Sequence, residues 1–300
     1  MTRSQISPLL MSCSLALLLV LSACTRTAIP LNSDQTATAL TATAFTLQEV
    51  DASPLETEGG YAVVWLPLEE KLKVYNPAGI AGNLVDELPY DQGGIHLTGN
   101  STALGSSLWV EITVMGDDPG WVNAWNLTEN VDSAIFCDDP QVLIRLQELK
   151  DAFESGDGIL LAQGINPSRG LVIRHDWWNP EVIIPQDTIQ TLFQDFHEID
   201  WGVLSGGDFQ ILGPFKDVLY PSLAKALYEE QDPVCNVLPI GTTSREAIWP
   251  NEYSSLNYYA FHIPAPEDGN QFDWQTWVVG FEYIGGVPYI TVFLQYRGDV

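Results

Sequence analysis

The chain has 300 residues, 46% of them hydrophobic and 11% aromatic, enough to build sizeable cores, so its acidity is not a sign of disorder. Against 39 Asp and Glu it carries 12 Lys and Arg, a formal charge of −27. A surface so poor in cations repels DNA, RNA, anionic lipid and teichoic-acid phosphate, which excludes nucleic acid as a partner. Solubility outside the cell and cation binding both remain as reasons for the charge.

The first element, Leu9 to Ala23, is apolar but interrupted by Ser12, Cys13 and Ser14. It falls short of the ~20 predominantly apolar residues of a spanning helix. With Arg3 ahead of it and small Ser22 and Ala23 at its end, it reads as a signal segment over residues 1–23. Leu21-Ser22-Ala23-Cys24 resembles the lipobox of bacterial lipoproteins at every position. That resemblance implies cleavage before Cys24, diacylglycerol on its sulfur and attachment to the outer face of the cell membrane. Two or three acyl chains, at ~0.8 kcal/mol per buried methylene, make such an anchor stable. Residues 24–59 are Thr- and Ala-rich without sustained periodicity, the composition of a disordered tether. As a flexible chain it reaches roughly 30 Å.

From residue 60 to 130 the chain reads as short strands with Gly and Pro punctuation: Leu72-Lys73-Val74, Leu84 to Leu88, Ile95 to Gly99, Leu108 to Val114 and Trp121 to Trp125. Strands at this spacing predict a small all-β barrel. Leu72-Lys73-Val74, Gly82-Asn83-Leu84 with Leu88-Pro89, Leu108-Trp109-Val110-Glu111-Ile112 and Gly120-Trp121-Val122 with Leu127 resemble the bacterial Src-homology-3-like (SH3b) domain. Tyr75 stands where that family often has Arg, and the loop Asn100 to Ser107 is longer than usual. The resemblance implies attachment to peptidoglycan or to an envelope peptide. Tyr75, Tyr90 and Trp125 are the groove candidates, since Trp109 and Trp121 fall where the family buries them.

Residues 137–300 change pattern. Val142, Leu146, Leu149 and Phe153 lie on one helical face that Asp138-Asp139-Pro140 opens and Gly156-Asp157-Gly158 ends. Leu171-Val172-Ile173 reads as a strand, Ile189 to Phe196 as a second helix and Phe215 to Leu227 as a third with Pro221 near its start. Tyr258 to Ile263, Trp274 to Ile284 and Pro288 to Tyr296 read as strands, the last two joined by Gly285-Gly286. Helices first and an antiparallel meander last is an α+β order, with a cystatin-like or ketosteroid-isomerase-like sheet as the expected topology. The run from Ser155-Gly156-Asp157-Gly158 through Asp200-Trp201-Gly202 to Asp273-Trp274 and Trp277 resembles uncharacterised secreted bacterial domains that accompany SH3b modules.

The chemistry-bearing residues divide the functional readings. Cys13 leaves with the signal and Cys24 takes lipid, so Cys137 and Cys235 remain, read first as a disulfide across a long loop. The alternative is a Cys235 nucleophile with His262 as base, which echoes the Cys-then-His order of NlpC-type peptidases but lacks their motif. His175-Asp176, His197, Asp200 and Asp273 complete the titratable set, and no catalytic group is assigned among them. No metal-ligand spacing or phosphate loop is present, so no metal or cofactor is expected; Asp268-Gly269-Asn270 with Asp273 is only part of a calcium loop. Asp200 with Trp201, and Asp273 with Trp274 and Trp277, could line a glycan or peptide cleft. The leading expectation is a membrane-anchored, extracytoplasmic lipoprotein that binds peptidoglycan or an envelope protein without catalysis. A cell-wall hydrolase acting through the C-terminal region, and a ligand sensor or assembly factor, are the alternatives.

Overall fold

Two adjacent glycines set the larger sheet. Gly285 (φ +61°) and Gly286 (φ +76°) occupy a left-handed turn that side-chain-bearing residues resist, and they fold the chain's C-terminal strands into one long hairpin. This is seen in a computed structural model that describes residues 60–113, 119–204, 207, 209–229, 232–244 and 246–298. The expected lipidation site Cys24, the expected signal over residues 1–23 and the expected tether over 24–59 lie outside the described residues. All described residues belong to one unit, Val50–Val300.

The N-terminal part contains β1 (Tyr61–Val63), β2 (Lys71–Asn76), β3 (Asn83–Pro89), β4 (Leu97–Leu104), β5 (Ser107–Thr113), β6 (Pro119–Asn123) and β7 (Leu127–Glu129). β2 to β6 form an open antiparallel five-stranded sheet of order β3-β2-β6-β5-β4, and β1 pairs separately with β7. This corrects the expectation of a closed barrel among the described residues. The core is the inward set Leu72, Val74, Val110, Ile112 and Val122 with Val63, Ile95 and Leu127. The expected loop from Asn100 is strand through Leu104; β4 exposes most of its residues on both faces, so it shows no alternation of apolar and polar residues to read.

The C-terminal part runs α1 (Ser133–Asp138), α2 (Pro140–Ser155), α3 (Gly158–Gly164), β8 (Leu171–Arg174), β9 (Val182–Ile184), α4 (Gln186–Ile189), β10 (Ile199–Val203), β11 (Gln210–Gly213), α5 (Phe215–Val218), α6 (Tyr220–Glu229), β12 (Val234–Cys235), β13 (Asn257–Ile263), β14 (Gln275–Ile284) and β15 (Val287–Arg297). In α2 the Asp139 carboxylate accepts the Gln141 N–H at 2.8 Å, Pro140 fills the first turn, and Gly156 at φ +65° closes the end. Its buried stripe is Val142, Leu146, Leu149 and Phe153. The helix expected over Ile189 to Phe196 is instead short α4 followed by turns, in which Leu192 donates to Ile189 and Gln194 to Thr191, while Phe196 is exposed.

The strands assemble as a six-stranded sheet, β12-β13-β14-β15-β8-β9. The β13-β14-β15 meander is antiparallel, but β8 joins β15 in parallel, so the sheet is mixed. Tyr259, Phe261, Trp277, Val279, Phe281 and Phe293 face a core shared with α1, α2, α3 and α6. Tyr258, Ala260, Val278, Val292, Leu294 and Tyr296 face a second core that also holds Val64 of the N-terminal part. Covered on both faces, β14 is buried nearly throughout, which explains its continuous apolar sequence. A register shift at Gly280/Phe281 leaves Thr291 as the extra residue of β15. Cys137 and Cys235 are joined in a disulfide spanning 98 residues, which ties α1 to β12. No helix among the described residues is long and apolar enough to cross a membrane.

Candidate functional site

The N-terminal and C-terminal parts meet around one buried cation. After β6, the Asn123 side chain accepts the Trp125 N–H at 3.0 Å and starts a single turn of 3-10 helix over Ala124–Asn126, which turns the Trp125 indole outward. On the opposite side the Asn166 side chain accepts the N–H groups of Ser168 (2.9 Å) and Arg169 (3.1 Å). Gly170 then takes φ +76°, where an added Cβ would stand 2.3 Å from the Ile184 carbonyl oxygen. Only glycine fits this close approach, and it aims Arg169 back toward the junction.

Arg169 is 8% exposed. Its Cζ lies 4.4 Å from the Trp125 ring centroid and 5.1 Å from that of Trp65, so the two indoles flank the guanidinium. Its Nε donates to Glu282 of β14 at 3.0 Å to Oε1 and lies 2.9 Å from Oε2, while Nη2 donates to the carbonyls of Trp125 and Leu127. Glu282 also accepts from Asn166 Nδ2 and from the bulged Thr291 Oγ1, both at 2.9 Å. Burial draws the Arg169 pKa below its ordinary value, against the opposing pull of Glu282. Arg169 Nη1 alone finds no hydrogen-bond partner.

A cavity of about 560 Å³ opens beside this centre, lined by apolar Leu97, Leu108, Val110 and Ile284, by Trp125, and by hydroxyl and amide groups such as Ser107, Asn123 and Ser168. Its charges are satisfied internally: Arg169 meets Glu282, and Glu129 accepts the N–H groups of Gly285 (2.5 Å) and Gly286 (2.9 Å). Such a wall suits an uncharged ligand with amide and hydroxyl groups. Trp125, 47% exposed, provides the aromatic surface.

The sequence candidates separate. Trp125 lines this cavity and a smaller one of about 260 Å³ on the other side of Arg169. Tyr75 packs edge-on against Trp109 at 5.9 Å, and Tyr90 packs at the border of the N-terminal core. Trp201 is buried with its indole N–H on the Gly213 carbonyl, and exposed Asp200 accepts from Gln210. Trp274 and Trp277 are buried, their indoles bonded to the Thr242 carbonyl and Ser222 Oγ, while exposed Asp273 stands at the edge of a separate cavity. Cys235, held in its disulfide, offers no free thiol. His262 faces Thr276 Oγ1 at 2.8 Å, and His197 is a surface residue beside Asp195. Among the described residues no cluster of three His, Cys, Asp or Glu could hold a metal.

Arg169, Glu282 and Trp65 were not among the sequence candidates. A signal for Glu282 existed: it is a carboxylate within the apolar run Trp277 to Ile284, and a charge in a buried strand needs a partner. No family model, curated protein or solved structure matches this chain.

Proposed function

We propose that this protein is a lipid-anchored, extracytoplasmic binding protein whose Trp125 cavity holds an uncharged, amide- and hydroxyl-bearing part of a cell-envelope polymer, with the N-acetylated glycan of peptidoglycan the first choice. The observation that carries this reading is Trp125 itself, a large exposed indole at a cavity whose ionised groups already have partners. N-acetyl groups and peptide bonds offer the hydrogen bonding that such a wall can meet without a charge. The Cys137–Cys235 disulfide agrees with an oxidising compartment, and the lipobox at Leu21 to Cys24 with anchoring. An SH3-like origin for the N-terminal part draws support from its antiparallel strands and from Gly120-Trp121-Val122 on β6. The helix-on-sheet packing of α2 supports the comparison with cystatin-like or ketosteroid-isomerase-like sheets for the C-terminal part.

The test is co-sedimentation of the full-length protein, in mild detergent, with purified peptidoglycan. Retention of the native protein, weakened at least several-fold by Trp125→Ala and without release of soluble fragments, is the expected result. Equal retention of Trp125→Ala would reject the site, and fragment release would reject the non-catalytic reading.

A further inference from the structure

A second cavity, about 750 Å³, lies at the opposite end of β8, lined from α6, from the residues entering β14 and from the end of β15. Most polar groups in its wall satisfy one another. Gln295 Nε2 donates to Ser222 Oγ and to Gln275 Oε1, each at 3.3 Å, and Trp277 Nε1 donates to Ser222 Oγ at 3.1 Å. Arg297 Nε donates to Asp176 Oδ2 at 2.9 Å, so that pair offers no net charge.

Two groups in the wall are different. Gln295 Oε1 and His175 Nδ1 have no hydrogen-bond partner in the protein, although Gln295 is 3% and His175 7% exposed. Burial, with the nearby Arg297 cation, pushes the His175 pKa down to about 4, so the imidazole is neutral at ordinary pH and serves as a hydrogen-bonding group. Buried polar atoms of native proteins are almost always satisfied, which makes an unfilled acceptor in a cavity wall a place for a ligand donor.

Lys225 and Asp273 add opposite charges to the same cavity. Lys225 keeps only a loose 3.8 Å pair with Glu229, both side chains being more than half exposed, and Asp273 accepts from the neutral Asn270 amide at 3.2 Å. The indole of Trp274 is buried, so it presents no face on which a sugar ring could stack. These features favour a ligand with a charge of each sign and an amide between them.

We infer that this cavity binds a short peptide with both ends free, its carboxylate at Lys225, its ammonium at Asp273 and a backbone N–H on Gln295 Oε1. This site is separate from the Trp125 cavity and stands whether or not that cavity binds peptidoglycan.

Isothermal titration of the full-length protein in detergent with alanyl-alanine, and with the same dipeptide acetylated and amidated at its ends, tests it. Binding of the free dipeptide is expected, with at least tenfold loss on blocking both ends. Lys225→Gln and Asp273→Asn, both at exposed positions, should each weaken binding about three- to tenfold. Trp125→Ala should leave it unchanged, which separates this site from the other. Absence of heat at millimolar dipeptide from protein with native near-ultraviolet circular dichroism would overturn the inference. Equal affinity for the blocked dipeptide, or insensitivity to both substitutions, would overturn it as well.

Discussion

Arg169→Met removes the cation at the junction and leaves Glu282 in place. Glu282 is 3% exposed and would keep hydrogen bonds from Asn166 and Thr291, but no positive charge. Deleting one member of a buried ion pair costs about 3–5 kcal/mol, because the other charge stays desolvated. In a folded unit of this size each kcal/mol lowers Tm by about 2–4 °C, so the expected fall is roughly 6–20 °C. The double variant Arg169→Met with Glu282→Gln removes the stranded charge while retaining an acceptor for Asn166 and Thr291, and should recover about half the loss or more. Thermal unfolding followed by circular dichroism measures both variants against the native protein. Because the Arg169 guanidinium lies 4.4 Å from the Trp125 ring, the single variant should also change tryptophan emission. A loss under about 1 kcal/mol, the size of an exposed pair, would refute the argument, as would a double variant no more stable than Arg169→Met alone.

Other outcomes follow from single contacts. His175, with its pKa lowered to about 4 from an unfolded value near 6.5, favours the folded state fully only above about pH 6.5; as pH falls toward 4 the unfolded chain takes a proton that the folded one refuses, removing roughly 3 kcal/mol. Urea midpoints across that interval should fall in the native protein and flatten in His175→Gln, with Asp176, Arg297, Asp273 and Lys225 as the neighbouring charges that set the residual slope. Replacing Cys137 and Cys235 together by Ser opens a loop spanning 98 residues and should cost about 4–5 kcal/mol in the same urea assay. Gly170→Ala forces a Cβ to 2.3 Å from the Ile184 oxygen at a positive φ, and should destabilise by more than about 1 kcal/mol while also shifting the Trp125 emission.

How much of this was legible in the sequence depended on burial. The stripe on α2 and the strands β13 to β15 were readable because one helical face, or a whole strand, is buried and its apolar residues keep the period. β4 was not, since exposure on both faces leaves its pattern unconstrained. The parallel pairing of β8 with β15 joins segments more than a hundred residues apart in a register of three residue pairs, and nothing local encodes it. Among the candidate aromatics, tryptophan next to aspartate described both a cleft and a packed corner equally well. Tertiary context assigns Trp201, Trp274 and Trp277 to the interior and leaves Trp125 at a surface. Arg169 gave no sign in sequence, because its partner Glu282 is 113 residues away.

The two cavities lie beyond opposite ends of β8, which lines neither, and they differ in chemistry. β8 begins just after Arg169 and ends just before His175, so an extended segment of roughly 20 Å separates the charge centre at Trp125 from the unfilled groups near Gln295. Within the first site each ionised group is held by a partner, which rewards ligands that bring no charge. The second leaves Lys225 and Asp273 weakly held and Gln295 Oε1 unmet, which rewards ligands that bring charge and an N–H. At that separation and with no shared side chain, the effects of substitutions at the two sites should add to within about 0.5 kcal/mol. Keeping the two sites apart permits two binding preferences that would conflict within a single pocket, since a wall suited to a neutral ligand would leave the ends of a free peptide desolvated and unpaired.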